Sequence, residues 1–177
     1  MPRRILVVAH DRAWRSEFEE EAERIARALG DIVVHLHHIG STAIPGIFAK
    51  PIIDFLLEVD DIIELDNRSS AMEELGYAAK GEFGIPGRRY FRKNDAAGLR
   101  THQVHAFKTG SAQVERHLAF RDYLIAHPIE AQTYGELKQK LAQEHPNDMQ
   151  AYMDGKDAFI KEHEVKAIAW LLSQTAK

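Results

Sequence analysis

The chain has 177 residues and no cysteine. That excludes disulfide staples and thiolate metal sites, so the hydrophobic core alone must hold the fold. No apolar run approaches the ~20 residues of a membrane-spanning helix, and Met1-Pro2-Arg3-Arg4 leads into a short apolar segment without a cleavage-site pattern. The expectation is a soluble, cytoplasmic protein with no membrane partner. Blocks of like charge are also missing, since 23 basic and 27 acidic residues are spread along the chain. No nucleic-acid partner is expected from that balance. Repeats and low-complexity stretches are absent. Two phosphate-binding signatures fail on spacing. No Gly-x-Gly-x-x-Gly occurs, and Gly40 and Gly46 are separated by five residues and followed by Ile47, where a P-loop needs four and then lysine. Without a dinucleotide fingerprint, Tyr134 with Lys138 and Tyr152 with Lys156 are no dehydrogenase pair.

What is present is an ordinary globular balance, 45% hydrophobic and 28% charged, at a length that one compact domain accommodates. Residues 1–110 read as an α/β core and 111–177 as a helical extension of the same domain. "RRILVVAH" is extended. Trp14, Phe18, Ala22, Ile25 and Leu29 then recur at helical spacing, up to Gly30. "DIVVHLHHIG" and "KPIIDFLLEV" read as strands around a Gly-Ser-Thr turn. A short helix over 61–75 precedes the glycine-rich "GEFGIPG" and two strands, "RRYFRKN" and "LRTHQVHAF", joined by "DAAG". Three helices follow, over 114–126, 129–143 and 148–172, punctuated by Pro128 and Pro146. The fold class expected is α+β: a mixed sheet of four or five strands, flanked by helices, with a helical C-terminal third.

The chemistry centres on "HHIGSTAIPGIFAKPIIDFLLEV", residues 37–59. Gly40 and Ser41 expose backbone N–H groups at a turn, where no side chain blocks a phosphate. Asp54 stands in an apolar strand, and burying a carboxylate there is costly without a cation, metal or donor set. Lys50 is four residues earlier on the same strand face, ~13 Å away. A divalent metal at Asp54, with phosphates bridging to the Gly-Ser turn, satisfies both ends, as in phosphoryl or nucleotidyl transfer. Among the ten histidines, His102 and His105 point to opposite faces and cannot readily share a metal, while His35 and His37 share a face and His38 points away from it. His105, with Gln103 and Phe107, shares a face that can lie against Asp54 in a neighbouring strand, and imidazole plus carboxylate is a usable metal pair. "RRYFRK" has two readings left open: an edge strand guarded by charge, or Arg89 gripping a phosphate.

The same stretch closely resembles the signature of the GrpB family, small bacterial proteins of the nucleotidyltransferase superfamily, which runs His-Ile-Gly-Ser-Thr-Ala-Val-Pro-Gly-Leu-x-Ala-Lys-Pro-Ile-Ile-Asp. Asp11 and Trp14, Leu75-Gly76-Tyr77, His105, Arg121-Asp122-Tyr123-Leu124, Tyr134 to Lys138 and Tyr152 to Lys156 extend the likeness along nearly the whole chain. The resemblance implies a nucleotidyltransferase-like fold. Gly40 and Ser41 would contact phosphate, and Asp54 would be the first ligand of Mg²⁺, with Mn²⁺ as the alternative ion. In the leading reading Thr42 joins that cradle, and Lys50 and Arg89 offset the charge of a nucleoside triphosphate or related coenzyme. Active members of the superfamily usually carry a second carboxylate two residues on and a third on a later strand. Here Leu56 stands at the second place, with His105 as candidate for the third and Glu58 further along the strand. The expected activity is Mg²⁺-dependent nucleotidyl transfer to an acceptor, with nucleotide or coenzyme binding without turnover and metal-dependent phosphohydrolysis as the alternatives.

Overall fold

A computed structural model describes residues 3–176. The chain divides into two compact units: a sheet unit of Arg12–Gly40 and Ile52–Glu115, and a helical unit of Met1–Asp11, Ser41–Pro51 and Arg116–Lys177. The sheet unit contains α1 (Ala13–Leu29), β1 (Val33–Ile39), β2 (Ile53–Val59), α2 (Ile62–Asn67), α3 (Ser69–Glu74), β3 (Ala78–Ala79), β4 (Arg89–Asn94) and β5 (Arg100–Lys108). Its five strands lie in the order β1-β2-β5-β4-β3. Only β2 and β5 are parallel, while β1, β3 and β4 pair antiparallel with their neighbours. The mixed sheet expected from the sequence is thus present. β4 is not the edge: two-residue β3 pairs with its Phe91 and Arg92, so the charge of "RRYFRK" does not guard an open edge.

The apolar run of β2 explains its central place, since Ile53, Phe55, Leu56, Leu57 and Val59 are all buried, and each such side chain contributes ~1.5–3 kcal/mol of transfer free energy. One face of the sheet is covered by α1. Phe18 of that helix stacks on the His38 ring at 4.8 Å and meets Phe55 at 5.0 Å, and Trp14, Ile25 and Leu29 are buried with it. Glu21 is buried in the same stripe. Its carboxylate takes Lys93 Nζ as ion partner and accepts a hydrogen bond from Tyr77 Oη at 3.0 Å, with His102 Nε2 at 3.6 Å. Burial alone would raise this carboxyl, but the hydrogen bond and charge of Lys93, with His102 and Tyr77, hold it below its ordinary value.

Two local expectations are modified. The helix over 61–75 is broken at Arg68, whose φ of −107° leaves the helical region and whose guanidinium reaches Leu29 O at 2.6 Å and Asp31 at 2.8 Å. The start of the chain forms a single antiparallel bridge, Val8 with Ala49, rather than a full strand.

The helical unit is built on α5 (Pro128–Glu144) and α6 (Met149–Thr175), together with most of α4 (Ala112–Ala126), in which the boundary between the units falls. Pro128 occupies the first turn of α5, where its missing N–H costs nothing, and Asp148 caps α6 by accepting from Ala151 N at 3.0 Å. Ile44, Ile47, Tyr123, Leu124, Tyr134 and Ala167 form one core cluster, and Ile5, Leu141 and Tyr152 another. Among the described residues no helix is long and apolar enough to cross a membrane.

Candidate functional site

Strand alternation and register together place the site. Asp54, Leu56 and Glu58 point to one face of β2, and their parallel partners on β5 are Gln103, His105 and Phe107. Across the next ladder His105 faces Tyr90 and Gln103 faces Arg92. Asp54, Gln103, His105, Tyr90 and Arg92 therefore share the face opposite α1. His102 lies on the other face, beside Glu21, so the two histidines are separated as the alternation requires.

Asp54 is packed directly against the end of β1. Gly40 has φ +74°, and a Cβ added there would stand 2.5 Å from Asp54 Oδ2. Glycine is thus required twice over, for the left-handed backbone and for the approach of the carboxylate. On its other side Asp54 Oδ1 is 3.4 Å from His105 Nε2. His105 Nδ1 lies 3.2 Å from Arg88 Nη1. A guanidinium only donates, so Nδ1 must present a lone pair and the ring proton sits on Nε2, which donates to Asp54. Arg88, His105 and Asp54 form a directed chain in which the histidine orients the carboxylate.

Arg88 was not singled out among the sequence candidates, yet it is the buried cation of the site. It is 8% exposed, donates through Nε to Glu82 O at 3.1 Å and through Nη2 to Phe83 O at 2.8 Å, and lies over the Tyr90 ring at 5.0 Å. Burial lowers its pKa from the ordinary guanidinium value and raises that of Tyr90. Alternation held the signal, because Arg88, Tyr90 and Arg92 share one parity in "RRYFRK" and Arg89 has the other.

The remaining candidates are engaged elsewhere. Arg89 makes a two-pronged contact with Asp66, Nε to Oδ1 at 2.7 Å and Nη2 to Oδ2 at 3.0 Å, which raises its pKa. Glu58 is buried and accepts from His37 Nε2 at 2.5 Å and Thr109 Oγ1 at 3.0 Å. Burial would raise the Glu58 carboxyl, but those two hydrogen bonds outweigh it and hold the group low. In the helical unit, Ser41–Ala43 forms one 3₁₀ turn with Thr42 buried, and Lys50 lies over the Tyr152 ring at 5.2 Å, with Met149 Sδ at 4.0 Å.

The donor set decides what kind of metal the site fits. Among the described residues no three His, Cys, Asp or Glu side chains are grouped to hold an ion, Leu56 is fully buried, and the His105 nitrogen nearest Asp54 carries a proton. A closed cage is therefore excluded. A single carboxylate beside an open glycine turn does fit Mg²⁺, which keeps several waters and is commonly bound by one or two carboxylates plus substrate phosphates.

The family model described as GrpB protein matches residues 4–166. The chain belongs to the GrpB family. It is 45% identical over 168 residues to the UPF0157 protein YqkA of Bacillus subtilis, covering 95% of this chain but 48% of that relative, so it spans about half the relative's length. It is 34% identical over 161 residues to the glutamate-rich protein GrpB of Alkalihalophilus pseudofirmus, covering 89% and 92% of the two chains. The crystal structure of the conserved protein GrpB from Enterococcus faecalis superposes with a TM-score of 0.90 at 45% identity, over 94% of this chain and 99% of that one. At 10% identity, terminal uridylyl transferase 4 from Trypanosoma brucei with bound dUTP gives a TM-score of 0.54 over 95% of this chain and 56% of that one. That likeness shows a nucleotidyltransferase-like fold for this GrpB protein, as the resemblance of its signature implied.

Proposed function

We propose that this GrpB protein transfers a nucleotidyl group from a nucleoside triphosphate to the hydroxyl of an acceptor in the presence of Mg²⁺ or Mn²⁺. The observation that supports this most is the packing of the Asp54 carboxylate against Gly40, with His105 and Arg88 holding its orientation. Asp54 would hold the ion together with the triphosphate. When bound, the ion offsets phosphate charge and polarises the α-phosphorus. The chain's own part is positional. Gly40 keeps side-chain atoms out of the way, and the Nε2–H of His105 fixes the carboxylate. The acceptor oxygen bonds to the α-phosphorus as the bond to the pyrophosphate oxygen breaks. Pyrophosphate leaves with the electron pair, and the hydroxyl proton passes to water. A cytoplasmic location belongs to the same proposal.

A second reading, nucleotide or coenzyme binding without turnover, is favoured by Leu56, whose buried side chain stands where active superfamily members usually carry a second carboxylate. The test is incubation with Mg²⁺, labelled nucleoside triphosphates and a panel of acceptors. Transfer predicts pyrophosphate release that drops at least a hundredfold in Asp54→Asn. Binding with no release supports the second reading, and release of inorganic phosphate marks a hydrolase instead.

A further inference from the structure

The Asp54 face carries more cationic charge than the orientation of its carboxylate requires. Arg88 is nine-tenths buried and its guanidinium meets two carbonyls and a histidine, but no carboxylate. The Arg92 side chain makes no hydrogen bond or ion pair within the described residues. Its guanidinium lies 5.7 Å from the Phe83 ring. Arg88 lies over the Tyr90 ring at 5.0 Å. Arg89, by contrast, is neutralised by Asp66. A buried or half-buried guanidinium without a counter-charge is costly, and Arg88 and Arg92 flank the stacked Tyr90 and Phe83 rings.

Beside them stands an exposed aromatic. Phe83 is 55% exposed and takes φ +48°, a left-handed conformation that a bulky residue rarely adopts. It is held there by stacking on Tyr90, with ring centroids 5.1 Å apart and planes 19° from parallel. Tyr90 lies 5.5 Å from the His105 ring, and His105 lies 3.4 Å from Asp54. The series runs from an open aromatic surface, past the arginines, to the proposed reacting carboxylate.

We infer that this face takes the acceptor, and that the acceptor is a phosphorylated nucleoside, either a mononucleotide or a coenzyme containing one. Its base lies on Phe83, its phosphate is neutralised by Arg92, and its hydroxyl is directed toward Asp54. The inference rests on the transferase reading for the last point only. Stacking on an aromatic ring tolerates any base because every base presents a π face, and guanidinium groups suit phosphate through charge and paired donors.

The test is titration calorimetry of the full chain with the four ribonucleoside 5′-monophosphates in EDTA at low salt, with a free nucleoside and inorganic phosphate as comparators. At least one monophosphate should bind more tightly than either fragment. Phe83→Ala should weaken it about five- to a hundredfold, the range for one lost stacked base. Arg92→Gln should weaken it about tenfold and reduce its salt dependence. Phe83→Leu, which preserves volume, should behave like Phe83→Ala. Equal affinity in the wild type and all three variants, or no binding at millimolar concentration, overturns the inference. So does a short single-stranded oligonucleotide that binds tenfold tighter than any mononucleotide. Because metal and triphosphate are absent, this readout is separate from pyrophosphate release, and either proposal can fail alone.

Discussion

Gly40→Ala tests the contact on which the site depends. The left-handed backbone at φ +74° costs an alanine roughly 1–2 kcal/mol. The new methyl would also stand 2.5 Å from Asp54 Oδ2 and 3.1 Å from Asp54 Cβ, so the carboxylate must leave its place. Moving it off its rotamer costs ~0.5–1.5 kcal/mol, and losing the hydrogen bond from His105 adds about 1 kcal/mol. The total is about 3.5 kcal/mol. Gly46 supplies the control, since its φ is +77° but nothing lies within 4 Å of an added Cβ. Gly46→Ala should therefore cost only the backbone term of about 1–2 kcal/mol. Urea unfolding should show Gly40→Ala less stable than Gly46→Ala by about 2 kcal/mol, and thermal unfolding by roughly 6 °C. In an Asp54→Ala background, where neither the carboxylate nor its hydrogen bond remains, the excess should shrink by about 2 kcal/mol, a coupling that a double-mutant cycle reads directly. Equal costs for the two glycine variants, together with an additive cycle, would refute the packing of Asp54 on the turn.

Three further outcomes follow from the same geometry. Glu21→Gln removes the carboxylate that Lys93 and Tyr77 share under α1 and should cost about 3 kcal/mol in urea unfolding; a loss below 1 kcal/mol would contradict it. Folding stability should fall on acidification in two stages. His102, which burial holds below its ordinary 6.5, contributes stability that is complete above that pH and declines as pH falls past it. Glu21 and Glu58, held below their ordinary 4.5, contribute stability that is lost as pH falls further, through their folded-state values; Glu21→Gln should flatten this second stage in unfolding curves taken from pH 7 to pH 3. Nitrogen NMR of the His105 ring should show the proton on Nε2 in the wild type and a mixture of tautomers in Arg88→Met. A wild-type proton on Nδ1 would break the Arg88–His105–Asp54 chain.

Much of this was legible along the chain because hydrophobic period is a local property. Period two in "KPIIDFLLEV" and "LRTHQVHAF" puts Asp54 and His105 on definite strand faces, and it separates His102 from His105, whatever the rest of the molecule does. The α1 stripe and the three C-terminal helices are readable for the same reason, as is the long signature that marks a GrpB protein. Local order does not say which faces meet. β2 and β5 are neighbours across forty intervening residues, and only that parallel register brings His105 to Asp54. Glu21 looks like an interruption of an apolar stripe until the sheet supplies Lys93, Tyr77 and His102. Arg88 and Arg89 are equivalent as neighbours in a string. They separate once α2 presents Asp66 to one face and β5 presents His105 to the other. A pattern of side chains states which residues travel together, whereas charge partners, tautomers and close approaches depend on distances that only the closed sheet sets.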